Sequence, residues 1–200
     1  MAELVSDRPI WRGDFLSLSE MTWQVDQGDE VTRVVVHHPG AVVVVPVTTS
    51  GRVIAVKQFR ASVGGDLLEL CAGKRDVQGE VPIETAKREL EEELGLFADH
   101  WVQIARFRNS PGFCDEVSYL FLAMGLTAGS RAPQSIEERN SSLVSFKLED
   151  SFSMVTSGVI DDAKTIIGLL QTQAYLQNVP MPSIVVDQSG LIETIGAASV

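Results

Sequence analysis

The chain has 200 residues, with 16 lysines and arginines against 27 aspartates and glutamates, for a formal net charge of −11. That length buries one sizeable core, and 44% hydrophobic with 22% charged residues is a globular composition, not a disordered acidic one. The balance argues against duplex nucleic acid and anionic membrane as partners, since both require basic faces. It leaves open a site built from carboxylates, whose partner is a cation.

Two cysteines, Cys71 and Cys114, are too few for a disulfide framework or an all-cysteine zinc site. Glu3, Asp7 and Arg8 interrupt the first residues, so no signal peptide is read there. No apolar run reaches the ~18 residues of a membrane span. The expected location is the cytoplasm.

In chain order, residues 1–20 carry only weak patterning. A strand-like pattern runs over residues 21–36, broken by turn chemistry at Gln27-Gly28-Asp29. Residues 41–47 form a β-branched run, the pattern of a strand buried on both faces. Pro46 cannot donate to a ladder and belongs near that strand's end. A hairpin turn at residues 48–51 leads into a strand over residues 52–59, and a short strand over residues 67–70 ends at Cys71-Ala72-Gly73. Pro82 and Gly95 bracket a helix with Ile83, Ala86, Leu90 and Leu94 at helical spacing. Strands are predicted over residues 101–107, 117–124 and 143–148. A second helix is predicted over residues 161–177, with Ala163, Ile166, Ile167 and Leu170 as its buried face. Residues 183–186 and 191–195 suggest a small hairpin. Interleaved strands and helices place the chain in the α/β or α+β class.

Charge is concentrated. Glu80, Glu84, Glu89, Glu91, Glu92 and Glu93, offset by Lys87 and Arg88, give residues 80–93 a charge of −4. On a helix, Glu89, Glu92 and Glu93 share a face, and like charges at that spacing destabilise by a few tenths of a kcal/mol per pair. Hard divalent cations select such carboxylate oxygens. Residues 52–75 carry the opposite sign: Arg52, Lys57, Arg60, Lys74 and Arg75 against Asp66 and Glu69, a local net of +3. A glutamate-rich helix face is most often solvated surface. The order of residue types separates this one.

From Gly73 the chain passes through Glu80 to Arg88-Glu89-Leu90-Glu91-Glu92-Glu93-Leu94-Gly95-Leu96. This resembles the Nudix box, in which a glycine and a glutamate precede an Arg-Glu-apolar-X-Glu-Glu-X-Gly-apolar ending. The ending matches at every fixed position; the spacing from Gly73 to Glu80 is one residue longer than in the family. His38-Pro39-Gly40-Ala41, Lys57-Gln58-Phe59-Arg60, Leu68-Glu69-Leu70-Cys71-Ala72-Gly73 and Ser110-Pro111-Gly112 extend the resemblance to the ADP-ribose pyrophosphatase branch. So does the stretch from Ser157-Gly158 through Asp161-Asp162-Ala163-Lys164-Thr165, which resembles that branch's closing helix. Cys71 stands where the branch often has proline.

The resemblance implies an α/β/α Nudix sandwich with a mixed sheet over residues 39–178. It implies an N-terminal β segment over residues 1–38 that forms a homodimer, and it leaves residues 179–200 as a tail without a counterpart. The implied activity is Mg²⁺-dependent hydrolysis of the diphosphate of ADP-ribose, a small nucleoside diphosphate sugar, to AMP and ribose 5-phosphate, with Mn²⁺ as the alternative ion. Competing readings are a pyrophosphatase for another nucleotide sugar and a non-catalytic ADP-ribose sensor, the latter disfavoured by the intact glutamate set. By the same resemblance Glu89, Glu92, Glu93 and the carbonyl of Ala72 hold the metal, Arg88 orients the glutamates through ion pairs, and Glu80 pairs within the box. The general base is Glu138, with Glu137 second. Substrate contacts fall to Arg60, Glu69, Arg52, Pro111, Gly112 and Glu116. His37 and His38, adjacent on a strand, point oppositely and are not read as ligands.

Overall fold

The structure, a computed structural model, describes residues 2–177, 184–186 and 192–194. Strands β1 (Glu3–Arg12), β2 (Ser17–Gln24) and β3 (Glu30–His37) form an antiparallel sheet in that order. Every residue of β1 is exposed, which is why residues 1–20 show so little alternation: a strand without a buried face has no inside to mark. Backbone bonds from Val36 N–H to Phe113 carbonyl (2.7 Å) and from Asp115 N–H to Val36 carbonyl (3.1 Å) tie this sheet to the body.

The valine run behaves as its pattern predicts. Strand β4 (Ala41–Pro46) is buried throughout and ends at Pro46. Its alternation feeds two cores: Val43 and Val45 join Leu120, Leu122 and Leu169, while Val42 and Val44 join Cys71, Ala86, Leu90 and Leu94. The chain then forms β5 (Arg52–Arg60), β6 (Gly65–Glu69) and β7 (Cys71–Lys74). Cys71 does not end a strand, as the sequence suggested; the chain changes sheets there. β6 pairs with β5, and β7 pairs with β4. Between them Leu70 is buried, and its N–H donates to the Thr165 hydroxyl at 2.9 Å.

Helix α1 (Pro82–Leu94) starts on its proline and stops at Gly95, whose φ of +64° is the left-handed conformation that glycine adopts freely. It is followed by β8 (Leu96–Arg108) and β9 (Val117–Ala128). A mixed sheet of order β7-β4-β9-β8 results, with β4 and β9 parallel. α1 covers one face. The short helix α2 (Ile136–Arg139) leads into β10 (Ser142–Lys147), which completes a second sheet of order β10-β5-β6. Helices α3 (Ser151–Thr156) and α4 (Ala163–Leu176) follow, and α4 covers the other face of the mixed sheet. The architecture is therefore the mixed α+β sandwich expected.

The buried face of α4 differs from expectation. Thr165, Gly168, Leu169 and Thr172 are buried, whereas Ala163 and Leu170 are exposed. Gly168 explains the rotation: a Cβ there would lie 2.5 Å from a Leu70 methyl and 3.3 Å from Val45. The helix backbone itself rests on the sheet, so small residues mark the contact face. In the tail, β11 (Ile184–Val186) and β12 (Ile192–Thr194) pair antiparallel; the remainder of residues 178–200 lies outside the described residues. Among the described residues no helix is long and apolar enough to cross a membrane.

Candidate active site

A cleft of about 950 Å³ opens between α1, the junction of β6 and β7, residues 134–138 and the start of α4. Ala72, Arg88, Glu89, Glu92, Glu93, Arg60, Glu69, Glu116, Glu137 and Glu138 all line it. Arg52, Pro111 and Gly112 do not.

The acidic wall is set by the packing of α1. Ala86, Leu90 and Leu94 point into the core, which turns the neighbouring glutamates to the cleft rim. Glycine at position 73 leaves room for Glu89: a Cβ there would lie 1.9 Å from its carboxyl carbon and displace that side chain. Glu93 is 5% exposed and accepts from Ala72 N–H at 3.3 Å. Burial, then the charge of Glu89, pushes its pKa up to about 8. Burial likewise lifts Glu89 to about 7, with Arg88 pulling it down and Glu92 pushing it up. Burial, then the charges of Glu93 and Glu89, pushes the Cys71 thiol up.

Arg88 threads this cluster. Its guanidinium lies 2.8 Å from Glu89, 3.0 Å from Glu92 and 3.4 Å from Glu80. Glu80 also takes the Thr85 hydroxyl at 2.8 Å, so it pairs within the box. Among the described residues no three acidic, histidine or cysteine side chains stand together in ligand geometry. Glu89 and Glu92 turn instead to Arg88, the cation at hand. The donor set still fits a hard divalent ion: Glu89, Glu92, Glu93 and the Ala72 carbonyl offer the oxygen donors such an ion selects, and its charge would offset the burial and repulsion that disfavour ionised Glu89 and Glu93.

The opposite wall is basic, but not with the residues that charge counting suggested. Arg60 Nε donates to Glu69 at 2.6 Å, and Glu69, 2% exposed, also accepts from Gln58 at 3.0 Å. Lys164 stands 3.7 Å from Glu69 and 2.6 Å from Asp162. Asp162 caps α4 by accepting from Thr165 N–H at 2.9 Å. Burial favours its neutral form, yet Lys164 and these bonds hold its carboxyl below the usual range. Lys74 also lines the cleft. The +3 segment is otherwise spent elsewhere. Lys57 pairs with Asp66 at 3.3 Å on the surface, and Arg75 lies 5.1 Å over the Tyr119 ring. Arg52 is corrected: it donates to the Ser145 carbonyl at 2.6 Å, about 26 Å along β5 from Arg60 at 3.3 Å per residue. Sequence reasoning assigned no role to Gln58, Asp162 or Lys164; their signals were the stretch over residues 57–60 for Gln58 and that over residues 161–165 for the other two.

Pro111 and Gly112 are likewise corrected: they are exposed at a loop tip, away from the cleft. That loop reaches the N-terminal sheet through Asp115, which accepts from His38 N–H at 2.8 Å and lies 2.7 Å from His37 Nδ1. His37 Nε2 in turn lies 2.7 Å from the Ser19 hydroxyl. The order is that of a nucleophile relay, but Ser19 is 4% exposed on a paired strand and does not line the cleft. The chain of bonds is a tie between β2, β3 and the loop, and it fixes Asp115 next to Glu116.

Of the two base candidates, Glu138 bears on the acidic wall and Glu137 on the basic one. The charge of Glu138 contributes to raising Glu89 and Glu93, while that of Glu137 acts on Arg60. Glu138 accepts from Gln134 N–H at 2.6 Å, and its own N–H donates to the Ser135 hydroxyl at 3.0 Å. Burial favours the neutral acid, but the bond from Gln134 N–H to the carboxyl, with Ser135 and the charge of Lys74, holds Glu138 below its ordinary value.

A NUDIX domain family model matches residues 36–166. The chain is 37% identical to the ADP-ribose pyrophosphatase of Bacillus subtilis (strain 168), over 86% of this chain and 94% of that protein. It is 32% identical to the methanol dehydrogenase activator of Bacillus methanolicus, over 87% and 95% respectively. Among solved structures, an ADP compounds hydrolase shares the fold, with a TM-score of 0.75 at 19% identity over 88% of this chain and 95% of that one.

Proposed function

The chain belongs to the Nudix family of hydrolases, and we propose that it cleaves the diphosphate of ADP-ribose to AMP and ribose 5-phosphate with Mg²⁺ bound. The observation that carries this is one cleft of about 950 Å³ with an acidic wall, Glu89, Glu92 and Glu93, opposite Arg60 and Lys164. A volume near the top of the usual pocket range suits a ligand with two ring systems and a diphosphate. The Bacillus subtilis relative, named an ADP-ribose pyrophosphatase, supports the same substrate.

A diphosphate brings about two negative charges to three carboxylates. Each unit pair at 4 Å is worth ~4 kcal/mol at an effective dielectric of 20, so docking calls for a divalent ion between them. Glu89, Glu92, Glu93 and the Ala72 carbonyl are the residues assigned to hold it, with Mn²⁺ as the alternative to Mg²⁺. Such an ion, when bound, polarises phosphoryl oxygens and makes water more acidic. The chain's own side chains do the rest. Arg88 aims Glu89 and Glu92 through its ion pairs. Glu138, kept ionised by Gln134 and Ser135, accepts the proton of the attacking water, with Glu137 the second choice. Arg60, braced by Glu69, presents a planar donor to phosphate, as guanidinium does well, and Glu116 closes the cleft beside His38.

The N-terminal sheet is assigned to dimerisation. Leu4, Ile10, Trp11 and Trp23 are exposed on it, and a second copy of the chain would cover them. The cytoplasm, where Cys71 and Cys114 stay reduced, is the location assigned. Purified protein is expected to release AMP from ADP-ribose with Mg²⁺ and to stop on chelation. Turnover of other nucleotide sugars but not ADP-ribose would shift the substrate; no turnover of any would remove the enzymatic reading of this site. Sedimentation as a monomer only would remove the dimer.

A further inference from the structure

We propose that Arg131 is a positioning residue, fastening the segment that carries Glu138 to the helix that carries Glu89, Glu92 and Glu93. The inference rests on the hydrolytic reading above. α1 has no basic residue in its last turn, so its own sequence supplies no cation to the negative end of its dipole or to its last carbonyls. Arg131 supplies one from outside. Its Nε donates to the Glu93 carbonyl, and the adjacent Ala132 N–H donates to the Glu92 carbonyl at 3.0 Å. The other arm of the guanidinium, Nη2, donates to the Glu138 carbonyl at 3.0 Å and to the Ser141 hydroxyl. One planar fork therefore spans the backbone of a proposed metal ligand and the backbone of the proposed base.

Burial does little to hold α2. None of its residues is buried, and Ile136 is 69% exposed. A four-residue helix is far too short to stand by propensity. The hydrogen bonds of Gln134, Ser135, Arg139 and Asn140 stay within residues 132–141. Among the described residues, Arg131 is the side chain that bonds this segment to α1. Gly95 makes the approach feasible: a Cβ there would lie 2.8 Å from the Arg131 backbone nitrogen. Without the fork, Glu138 rides on a segment free to shift against the acidic wall, and a misplacement of 1 Å can lower a rate about 100-fold.

The test compares wild type, Arg131→Gln, Arg131→Lys and Arg131→Ala in steady-state turnover of ADP-ribose with Mg²⁺, with hydrogen exchange measured over residues 134–141. Arg131→Gln is expected to lower kcat roughly 30- to 100-fold and to leave KM within about twofold, since Arg60 and Glu69 sit on other strands. Arg131→Lys is expected to lose less, because an ammonium donates to one of the two carbonyls but does not span them. Free guanidinium ion, below denaturing concentrations, should raise the turnover of Arg131→Ala severalfold and leave wild type unchanged, a rescue that a misfolded chain would not show. Exchange should quicken over residues 134–141 and not in α1. Wild-type turnover with kcat unchanged in Arg131→Gln, or a kcat lost equally in Arg131→Lys without guanidinium rescue, would overturn this inference alone. A wild-type chain that turns over no nucleoside diphosphate sugar would overturn the reading beneath it.

Discussion

Two helices present glutamates to the same cleft, and different forces hold them there. α1 buries Ala86, Leu90 and Leu94 at 4% exposure or less, and burying each leucine contributes about 1.5–3 kcal/mol. Glu89, Glu92 and Glu93 inherit their positions from that stripe. α2 buries nothing, and Glu138 inherits its position from Arg131, Gln134 and Ser135. Packing places a side chain by bulk and keeps water out. Hydrogen bonds place it by direction, each at a net of only about 0.5–1.5 kcal/mol, because water competes for the same groups. The acidic wall is thus a fixed part of the fold, and Glu138, the proposed base, is held by ties that single substitutions can cut.

The largest expected effect breaks the comparison on function. Glu93→Gln should lower kcat by about 1,000-fold or more, the scale of losing a main electrostatic group at a reacting centre, with circular dichroism showing an intact fold. Glu138→Gln should lower it about 100-fold, and Glu137→Gln only slightly. Unchanged turnover in Glu93→Gln would remove it from the proposed ligands. A larger loss from Glu137→Gln than from Glu138→Gln would exchange their roles.

Next in size is stability. Leu90→Ala leaves a cavity beneath the acidic wall and should destabilise the fold by about 2–5 kcal/mol in urea unfolding. Ile136→Ala on α2, at 69% exposure, should stay within about 0.5 kcal/mol. Similar losses from the two would mean that α2 packs after all.

The same contrast separates what the sequence made legible from what it hid. β4 and α1 were readable because burial repeats its signal: four successive valines, and four apolar residues at helical spacing between Pro82 and Gly95. β1 was missed because it is exposed on both faces. The contact face of α4 was misread because Gly168, not a leucine, touches Leu70. The basic wall was misassigned because counting charge over residues 52–75 ignores the length of a strand, which carries Arg52 away from Arg60. Lys164 and Arg131 act through polar contacts between segments distant in sequence, and such contacts leave no periodicity. Much of the acidic wall lay in a local pattern, whereas the groups that hold Glu138 and Arg60 in the cleft became visible only with the chain folded.

The smallest effect concerns pH, and here the two helices should differ in sign. An unfolded glutamate titrates near about 4.3, whereas Glu89 and Glu93 are raised to about 7 and about 8. Between about pH 4.5 and 8 the folded chain therefore holds protons that the unfolded chain has released, and this part of the stability falls as pH rises. Glu138 is lowered, so its contribution is present above about pH 4.3 and is lost only as pH falls below that. Tm measured without divalent ions should thus decline from about pH 5.5 to 8.5, over a range where Glu138 is silent. Mg²⁺ should raise Tm more at the upper end of that range than at the lower, because it binds the ionised carboxylates, which are the minor form at low pH. Glu93→Gln should flatten the decline and shrink the Mg²⁺ effect together. A Tm that rose steadily over that range without metal would mean that the α1 carboxylates are not crowded, and the main reason for placing a cation among them would be gone.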